Sequence, residues 1–131
     1  MMRLKKSQRQ TKWQKIANEA AKQCGRTVIP EIKPIITLGE FLKSLPKSCN
    51  KIVCYEDENN NGIKKLLDNT NSVDYCVFVG PEGGFSNNEI KICNENYCQP
   101  VTLGPRILRT ETASLAAISI ILYHKGDLGG F

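Results

Sequence analysis

Hydrophobic and polar positions along the chain follow two spacings, one helical and one strand-like. The first apolar series recurs every three or four residues and consists of Trp13, Ile16, Ala17, Ala20 and Cys24. This spacing predicts a helix over residues 12–24, because residues three or four apart share one helix face. Gly25 is well placed to end that helix with a left-handed cap, since glycine adopts positive φ without steric cost.

The residues that follow predict an extended segment and then a short helix. Prolines at positions 30 and 34 keep this part of the chain extended. Thr37 and Glu40 then form a possible capping box ahead of a cluster of apolar residues. We therefore predict a second, short helix directly after this box.

Three short apolar runs predict strands at residues 51–56, 75–80 and 100–104. We expect the first two to be buried, because their apolar residues are nearly continuous. A short helix is predicted near residues 63–67, between two of these strands. Strands separated by helices are typical of a parallel sheet covered by helices, so the predicted fold class is α/β.

Two further helices are predicted in the C-terminal half. Ser86 and Glu89 form a capping box, and Phe85 with Ile90 occupies the hydrophobic-staple positions, so a helix should run from Ser86 to about residue 94. The run of apolar residues at 112–124 predicts a helix that is apolar on nearly all of its faces. Such a helix must be buried, either in the core or against another subunit.

Length and composition limit the class of protein. A chain of 131 residues with 40% hydrophobic content fits one compact domain. We assign residues 1–11 to a basic N-terminal segment, residues 12–125 to the domain and residues 126–131 to a C-terminal tail. The most apolar stretch, residues 113–123, is about half as long as a membrane-spanning helix, so a soluble protein without a membrane partner is expected.

The N-terminus and the cysteines indicate an intracellular protein. The first 15 residues are too charged to contain the apolar core of a secretory signal. A basic start also occurs in organelle presequences, but the helix from Trp13 onward favours a domain element over a removable leader. The six cysteines contain no C-x-x-C pair, so no metal site is predicted, and reduced cysteines agree with a cytoplasmic location.

Positive charge is concentrated at the N-terminus. Residues 1–26 contain eight Lys or Arg against Glu19 alone, so this segment is +7 and the remainder is −2, which together give the net charge of +5. Such a concentration favours RNA or DNA as a partner, because it can displace the counterions of a phosphate backbone. A solvated, partly frayed basic end is the alternative, and charge alone does not decide between them.

The first candidate loop covers residues 79–86, with the sequence VGPEGGFS, after the second predicted strand. In an open parallel sheet, ligands bind beyond the carboxyl ends of the strands, where this loop lies. It has neither the Lys and Ser or Thr of a P-loop nor G-x-G-x-x-G spacing, so ATP and NAD are disfavoured. Its glycines could serve a tight turn only, but the carboxylate of Glu82 favours a ligand with a cationic sulfonium or a ribose hydroxyl.

The second candidate loop covers residues 103–113, LGPRILRTETA, and leads into the last predicted helix. Thr110 is a plausible N-cap and Glu111 is favoured in a first helical turn, so a structural explanation exists for both. Arg109 opposes the helix dipole there, which indicates that it pairs with Glu111 or faces an anionic ligand. Two apolar residues of the loop either wall an adenine pocket or pack in the core, and they are Ile107 and Leu108.

These segments together resemble a known family. Residues 79–90, VGPEGGFSNNEI, and residues 103–113 are similar to the two signature segments of the ribosomal RNA uridine methyltransferases that modify ring nitrogen three of uracil, within the SPOUT superfamily. Residues 13–32 resemble the family's upstream segment, and KIVCYE at residues 51–56 resembles its central strand. The four motifs occur in the family's order.

The resemblance implies more than the pattern of elements does. It implies that the C-terminal segment of the parallel sheet threads a deep trefoil knot. It also implies S-adenosylmethionine as cofactor, a uridine of ribosomal RNA in the small ribosomal subunit as substrate, and a homodimer.

The resemblance further implies roles for individual residues. The cofactor would contact Cys54, Tyr55, Gly80, Pro81, Glu82, Gly83, Gly84, Leu103, Gly104, Ile107, Leu108 and Thr112. The catalytic pair would be Arg109 and Glu111. The residues nearest the RNA would be Lys12, Arg26 and Arg106.

The chain also departs from the family pattern. Family members begin with a small RNA-binding barrel, then a strand, a helix and a strand of the catalytic domain, and these segments have no counterpart here. Without them we expect an exposed sheet edge and less buried apolar area. Two alternatives to an active enzyme follow: a non-catalytic RNA-binding remnant, and a structural relic that folds only with a separate chain.

Overall fold

The computed structural model describes the backbone of residues 2–130 and the side chains of residues 5–130. Its elements, in chain order, are α1 (Met2–Gln23), α2 (Leu38–Ser44), β1 (Asn50–Cys54), α3 (Ile63–Asp68), β2 (Tyr75–Val79), α4 (Asn87–Glu95), β3 (Gln99–Val101) and α5 (Thr110–His124). The chain divides into two compact units, residues 1–40 and residues 41–131. No helix within the described range is long and apolar enough to cross a membrane.

The first unit consists of α1 and an extended segment. The helix begins at Met2, so the predicted start at residue 12 is wrong. The preceding residues lack apolar periodicity but consist mainly of good helix formers such as Lys, Arg and Gln, and they contain no Gly or Pro. Gly25 ends α1 at φ +74, and the N–H of Arg26 donates to the carbonyl of Ala21 at 2.8 Å, which confirms the predicted left-handed cap.

The extended segment is held by two glutamines of α1. The Gln10 amide nitrogen donates to the carbonyl of Ile32 at 2.9 Å. The Gln14 side-chain oxygen accepts the N–H of Ile32 at 2.7 Å, and its amide nitrogen donates to the Pro30 carbonyl at 3.0 Å. These side chains satisfy backbone groups that an extended segment outside a sheet cannot pair within itself. At the end of the segment Thr37 and Glu40 form the predicted capping box of α2.

The second unit contains a parallel three-stranded sheet in the order β2-β1-β3, which confirms the predicted α/β class. Ile52 and Val53 of the central strand are fully buried. In β2, however, only Phe78 is buried and the other four residues are half-buried, so the predicted burial of the second strand is wrong for most of its length. The reason is strand order: β2 lies at the edge of the sheet in the described part of the chain.

The helices of this unit pack around the sheet. The core cluster consists of Ile52, Ile63, Leu67, Val101 and Ile121. The α4 helix begins as predicted, because the Ser86 hydroxyl accepts the N–H of Glu89 at 3.1 Å and the Glu89 carboxylate accepts the N–H of Ser86 at 2.8 Å.

The α5 helix buries only one narrow stripe. Ala113, Ala117 and Ile121, spaced four residues apart, are the buried positions. Leu115 is 70% exposed and Ile118 is 52% exposed. Complete burial in the core of this chain is therefore wrong for α5, and burial against another subunit stays a prediction.

Candidate active site

The carboxyl ends of the three strands open into one cavity of about 610 Å³. Its lining residues come from three segments that follow the strands, within residues 54–59, 79–85 and 101–113. Small-molecule sites typically occupy about 300–1,000 Å³, so the cavity has the size of a cofactor site. The two candidate loops therefore lie on one cleft, at the end of the sheet where parallel α/β proteins bind ligands.

The glycine loop forms one wall of this cavity. The N–H of Gly84 donates to the carbonyl of Pro81 at 2.8 Å, and Gly84 has φ +77, which favours glycine. A Cβ atom on Gly80 would lie 3.2 Å from the ring of Phe85. The turn therefore requires glycine at both positions, at Gly84 because of its backbone conformation and at Gly80 because of the Phe85 ring.

The arginine-bearing loop forms the facing wall and is anchored at its start. The N–H of Thr102 donates to the carbonyl of Asn61 at 2.8 Å, and the N–H of Ile63 donates to the carbonyl of Thr102 at 3.2 Å. Gly104 follows at φ +128, a backbone conformation that L side chains rarely adopt. The chain therefore turns away from β3 at Gly104 before it reaches the arginines.

Thr110 links the two walls. We predicted it to be the N-cap of α5, and this is wrong: Arg109 is the N-cap, with φ −63, ψ 155 and no side-chain hydrogen bond. Thr110 is the first helical residue, and its hydroxyl donates to the carbonyl of Gly80 at 2.9 Å. The hydroxyl is thus satisfied by the glycine loop rather than by the end of its own helix.

The charged residues of the site are open to solvent and to a ligand. Arg106, Arg109 and Glu111 line the cavity and are all exposed. Within the described side chains Arg109 forms no salt bridge with Glu111, so the predicted pairing is absent. The guanidinium of Arg109 is therefore exposed on the cavity and free of any ion pair among the described side chains.

The cavity also carries two groups from the end of β1. Burial raises the pKa of the Cys54 thiol to about 11, so this side chain is a neutral, apolar part of the wall at neutral pH. Burial, followed by the neighbouring Asp57 and Glu56, raises the pKa of Tyr55, which keeps its phenol protonated. Neither group therefore supplies a nucleophile at neutral pH.

Most of the candidate residues of the sequence lie on this cavity. The candidates among its lining residues are Cys54, Tyr55, Gly80, Pro81, Glu82, Gly84, Leu103, Gly104, Arg106, Ile107, Leu108, Arg109 and Glu111. Gly83 and Thr112 are not among them. Lys12 and Arg26 lie exposed in the other unit, where the Arg26 Nε donates to the carbonyl of Val28 at 2.7 Å.

Sequence reasoning missed several residues of the cavity. Glu56 and Asn59 follow β1 and line it, and a Cβ atom on Gly84 would lie 3.5 Å from the Glu56 Oε1 atom. From the sequence, Glu56 is predicted only as the end of a strand, and no role is assigned to Asn59. The rule that ligands bind beyond strand ends applies equally to the segment after β1, so it was the signal that could have found them.

The chain is similar in sequence to curated proteins. The ribosomal RNA small subunit methyltransferase E of Aquifex aeolicus is 39% identical over 111 residues, which cover 85% of this chain and 46% of that protein. The protein of the same name from Bacillus subtilis is 33% identical, with 96% of this chain and 51% of that protein covered. The chain spans about half the length of the curated relatives it matches.

The chain is also similar to a solved structure. The crystal structure of a ribosomal RNA small subunit methyltransferase E from Neisseria gonorrhoeae bound to S-adenosyl methionine superposes with a TM-score of 0.81 and 36% identity. The superposition covers 91% of this chain and 49% of that one. Residues 2–122 also match the RNA methyltransferase domain. The chain thus belongs to the family of proteins that carry the RNA methyltransferase domain.

Proposed function

We propose that this chain binds S-adenosylmethionine and methylates ring nitrogen three of a uridine in small-subunit ribosomal RNA. The observation that carries the proposal is the single cavity in which the loops starting at Gly80 and Gly104 meet. The names of the relatives and the S-adenosyl methionine bound to the Neisseria protein support the reaction class.

The residues of the cavity fit such a cofactor in chemical type. Ile107 and Leu108 offer apolar surface for adenine, and the glycine loop lines the same cavity. The carboxylate of Glu82 on the same cavity would favour the positive sulfonium. When bound, S-adenosylmethionine supplies an electrophilic methyl group.

The charged residues of this chain would then act on the uracil. The ring nitrogen loses its proton as it attacks the methyl carbon, so negative charge develops on the base. The guanidinium of Arg109, which lines the cavity and forms no ion pair with the described side chains, would stabilise this charge. Glu111 would orient Arg109 or accept the proton, and the base must be unpaired or flipped out because this nitrogen lies on its pairing edge.

Three wider features belong to the same proposal. The resemblance implies that the segment including α5 threads a trefoil knot and that the protein acts as a homodimer in the cytoplasm. The exposed Leu115 and Ile118 on α5 support a subunit contact, because apolar residues at this spacing present one continuous helix face. Size measurement in solution tests this part: a monomer at all concentrations would reject the homodimer.

Calorimetric titration of the folded chain with S-adenosylmethionine and with its demethylated product tests the cofactor site. We expect both to bind, and no heat above background would reject the proposal. Transfer is tested separately by incubating small-subunit ribosomal RNA with donor that carries a labelled methyl group. Mass spectrometry of the digested RNA should then find the label on a uridine.

A non-catalytic RNA-binding role is the second candidate. It is favoured by the basic α1 segment, in which Lys12 and the neighbouring cations are exposed, within a stretch of +7 over residues 1–26. RNA binding that weakens with salt and occurs without methyl transfer would favour this candidate. Label transfer into ribosomal RNA would exclude it.

A further inference from the structure

A second pocket lies at the opposite end of the central strand. It has a volume of about 290 Å³ and is lined by Lys47, Cys49, Lys51 and Tyr97. Lys51 is the second residue of β1, whereas the cavity described above begins at the last residue of that strand, Cys54. None of the four residues belongs to the proposed methyl-transfer site.

Lys51 is a buried cation whose charge is only partly compensated. Its side chain belongs to a residue that is 7% exposed, and its Nζ donates to the carbonyl of Asn96 at 3.2 Å. Asn96 is the C-cap of α4, so this carbonyl contributes the partial negative charge of a helix end. Over the described side chains no carboxylate lies within salt-bridge distance of Lys51, although buried charges are normally paired.

The neighbouring thiols do not supply the missing negative charge. Burial raises the pKa of Cys76 to about 11 and that of Cys98 to about 12, and Lys51 lowers both only in part. Burial and the nearby Asp74 carboxylate raise the pKa of Cys49 as well. All three are therefore neutral thiols near pH 7, so none of them balances the charge of Lys51.

Tyr97 is placed at the pocket by a strained backbone. It has φ +62, at a position after the C-cap of α4 where glycine is usual. The N–H of Cys98 donates to the carbonyl of Cys93 at 3.0 Å and the N–H of Tyr97 donates to that of Asn94 at 3.2 Å, as in a Schellman motif. The residue is nevertheless 82% exposed, so packing does not explain why an aromatic residue replaces glycine.

We propose that this pocket binds the phosphate group of a nucleotide, with Lys47 and Lys51 as its cationic partners and the Tyr97 ring as a stacking surface for the base. A phosphate supplies the counter-charge that Lys51 lacks, and an exposed aromatic ring beside cations is the usual arrangement for single-stranded nucleic acid. The site goes beyond the proposed methyl transfer and does not depend on it. The nucleotide can come from an RNA chain or from a free nucleotide, since both present the same group.

Titration of the full chain with inorganic phosphate, uridine monophosphate and a single-stranded RNA oligonucleotide tests the proposal. The variant is Lys51→Met, and Lys64→Met is the matched control because Lys64 is exposed on α3 and does not line the pocket. We expect at least one probe to bind, with affinity about tenfold lower in Lys51→Met and unchanged in Lys64→Met. Binding of the monophosphate indicates a free nucleotide, and binding of the oligonucleotide alone indicates RNA. Failure of all three probes, or equal affinity in both variants, would overturn the site.

Tyr97→Gly gives a second measurement that does not depend on the lysine. Glycine suits the left-handed conformation, so the melting temperature should be equal or higher while nucleotide affinity falls. Full affinity in this variant would overturn the stacking role. Titration with S-adenosylmethionine separates this proposal from the methyl-transfer proposal, because Lys51→Met should bind the cofactor as the unchanged chain does.

Discussion

The hydroxyl of Thr110 donates a hydrogen bond of 2.9 Å to the carbonyl of Gly80, across 30 residues of chain. Thr110 begins α5 and Gly80 begins the glycine loop, so this bond joins the two walls of the candidate cleft. It is a side-chain to backbone bond in a partly buried position, where the loss of one partner leaves the carbonyl unsatisfied.

We therefore predict that Thr110→Val lowers the free energy of unfolding by about 1 kcal/mol. The same change should weaken S-adenosylmethionine binding, because the walls lose their connection. Chemical denaturation and calorimetry measure the two effects. Thr110→Ser, which keeps the hydroxyl, should restore cofactor affinity. If the Thr110→Val and Thr110→Ser proteins bind the cofactor equally well, the hydroxyl does not connect the walls.

Alanine substitutions at two glycines of the same loop can be compared directly. Alanine at Gly80 would place its Cβ 3.2 Å from the Phe85 ring and 3.3 Å from the backbone of Gly84, whereas nothing lies within 4 Å of a Cβ at Gly83. We expect Gly80→Ala to destabilise the fold by about 1–3 kcal/mol, as overpacking does, and to weaken cofactor binding. Gly83→Ala should change the melting temperature little. Equal effects at the two positions would contradict this account of the turn.

Arg109 separates catalysis from cofactor binding in our proposal. Arg109→Ala should abolish methyl transfer, while the affinity for S-adenosylmethionine stays within about tenfold, or roughly 1.4 kcal/mol. The physical reason is that its guanidinium would act on charge that develops in the base, not on the donor. Transfer of labelled methyl groups and calorimetry measure the two quantities. Equal loss of both would assign Arg109 to the cofactor pocket.

The local features of the fold were predictable from sequence. Ser86 and Glu89 cap α4 as predicted, because a capping box is complete within four residues. The sequence predicts Gly80 and Gly104 at strand ends, and both line the cavity. These signals depend on neighbours in the chain and on a general rule for parallel sheets, so one sequence suffices to detect them.

The long-range features were not predictable. Thr110 bonds to a carbonyl 30 residues away, and no local pattern distinguishes this from an N-cap. The partial burial of β2 at the sheet edge follows from strand order, which periodicity does not determine. The burial of Lys51 and its bond to Asn96 could not be predicted either. Both depend on where α4 ends relative to β1, which the sequence around Lys51 does not indicate.

Two half-buried thiols predict how stability depends on pH. Cys54 and Cys76 have pKa values raised to about 11 from the ordinary 9.0, chiefly by burial, so the folded chain holds these protons more tightly than the unfolded chain. Their contribution to stability is fully present below about pH 9, and it is lost as pH rises towards 11. The free energy of unfolding should therefore fall between these values, as urea denaturation at several pH values would measure.

Replacement of the thiols provides the control for this prediction. Alanine at Cys54 and Cys76 removes both titrating groups, so the double variant should lose less stability than the unchanged chain between pH 9 and pH 11. Tyr55 also has a raised pKa and titrates in the same direction, so part of the decline should persist in the double variant. An identical decline in both proteins would show that ionisation of these two thiols does not oppose folding.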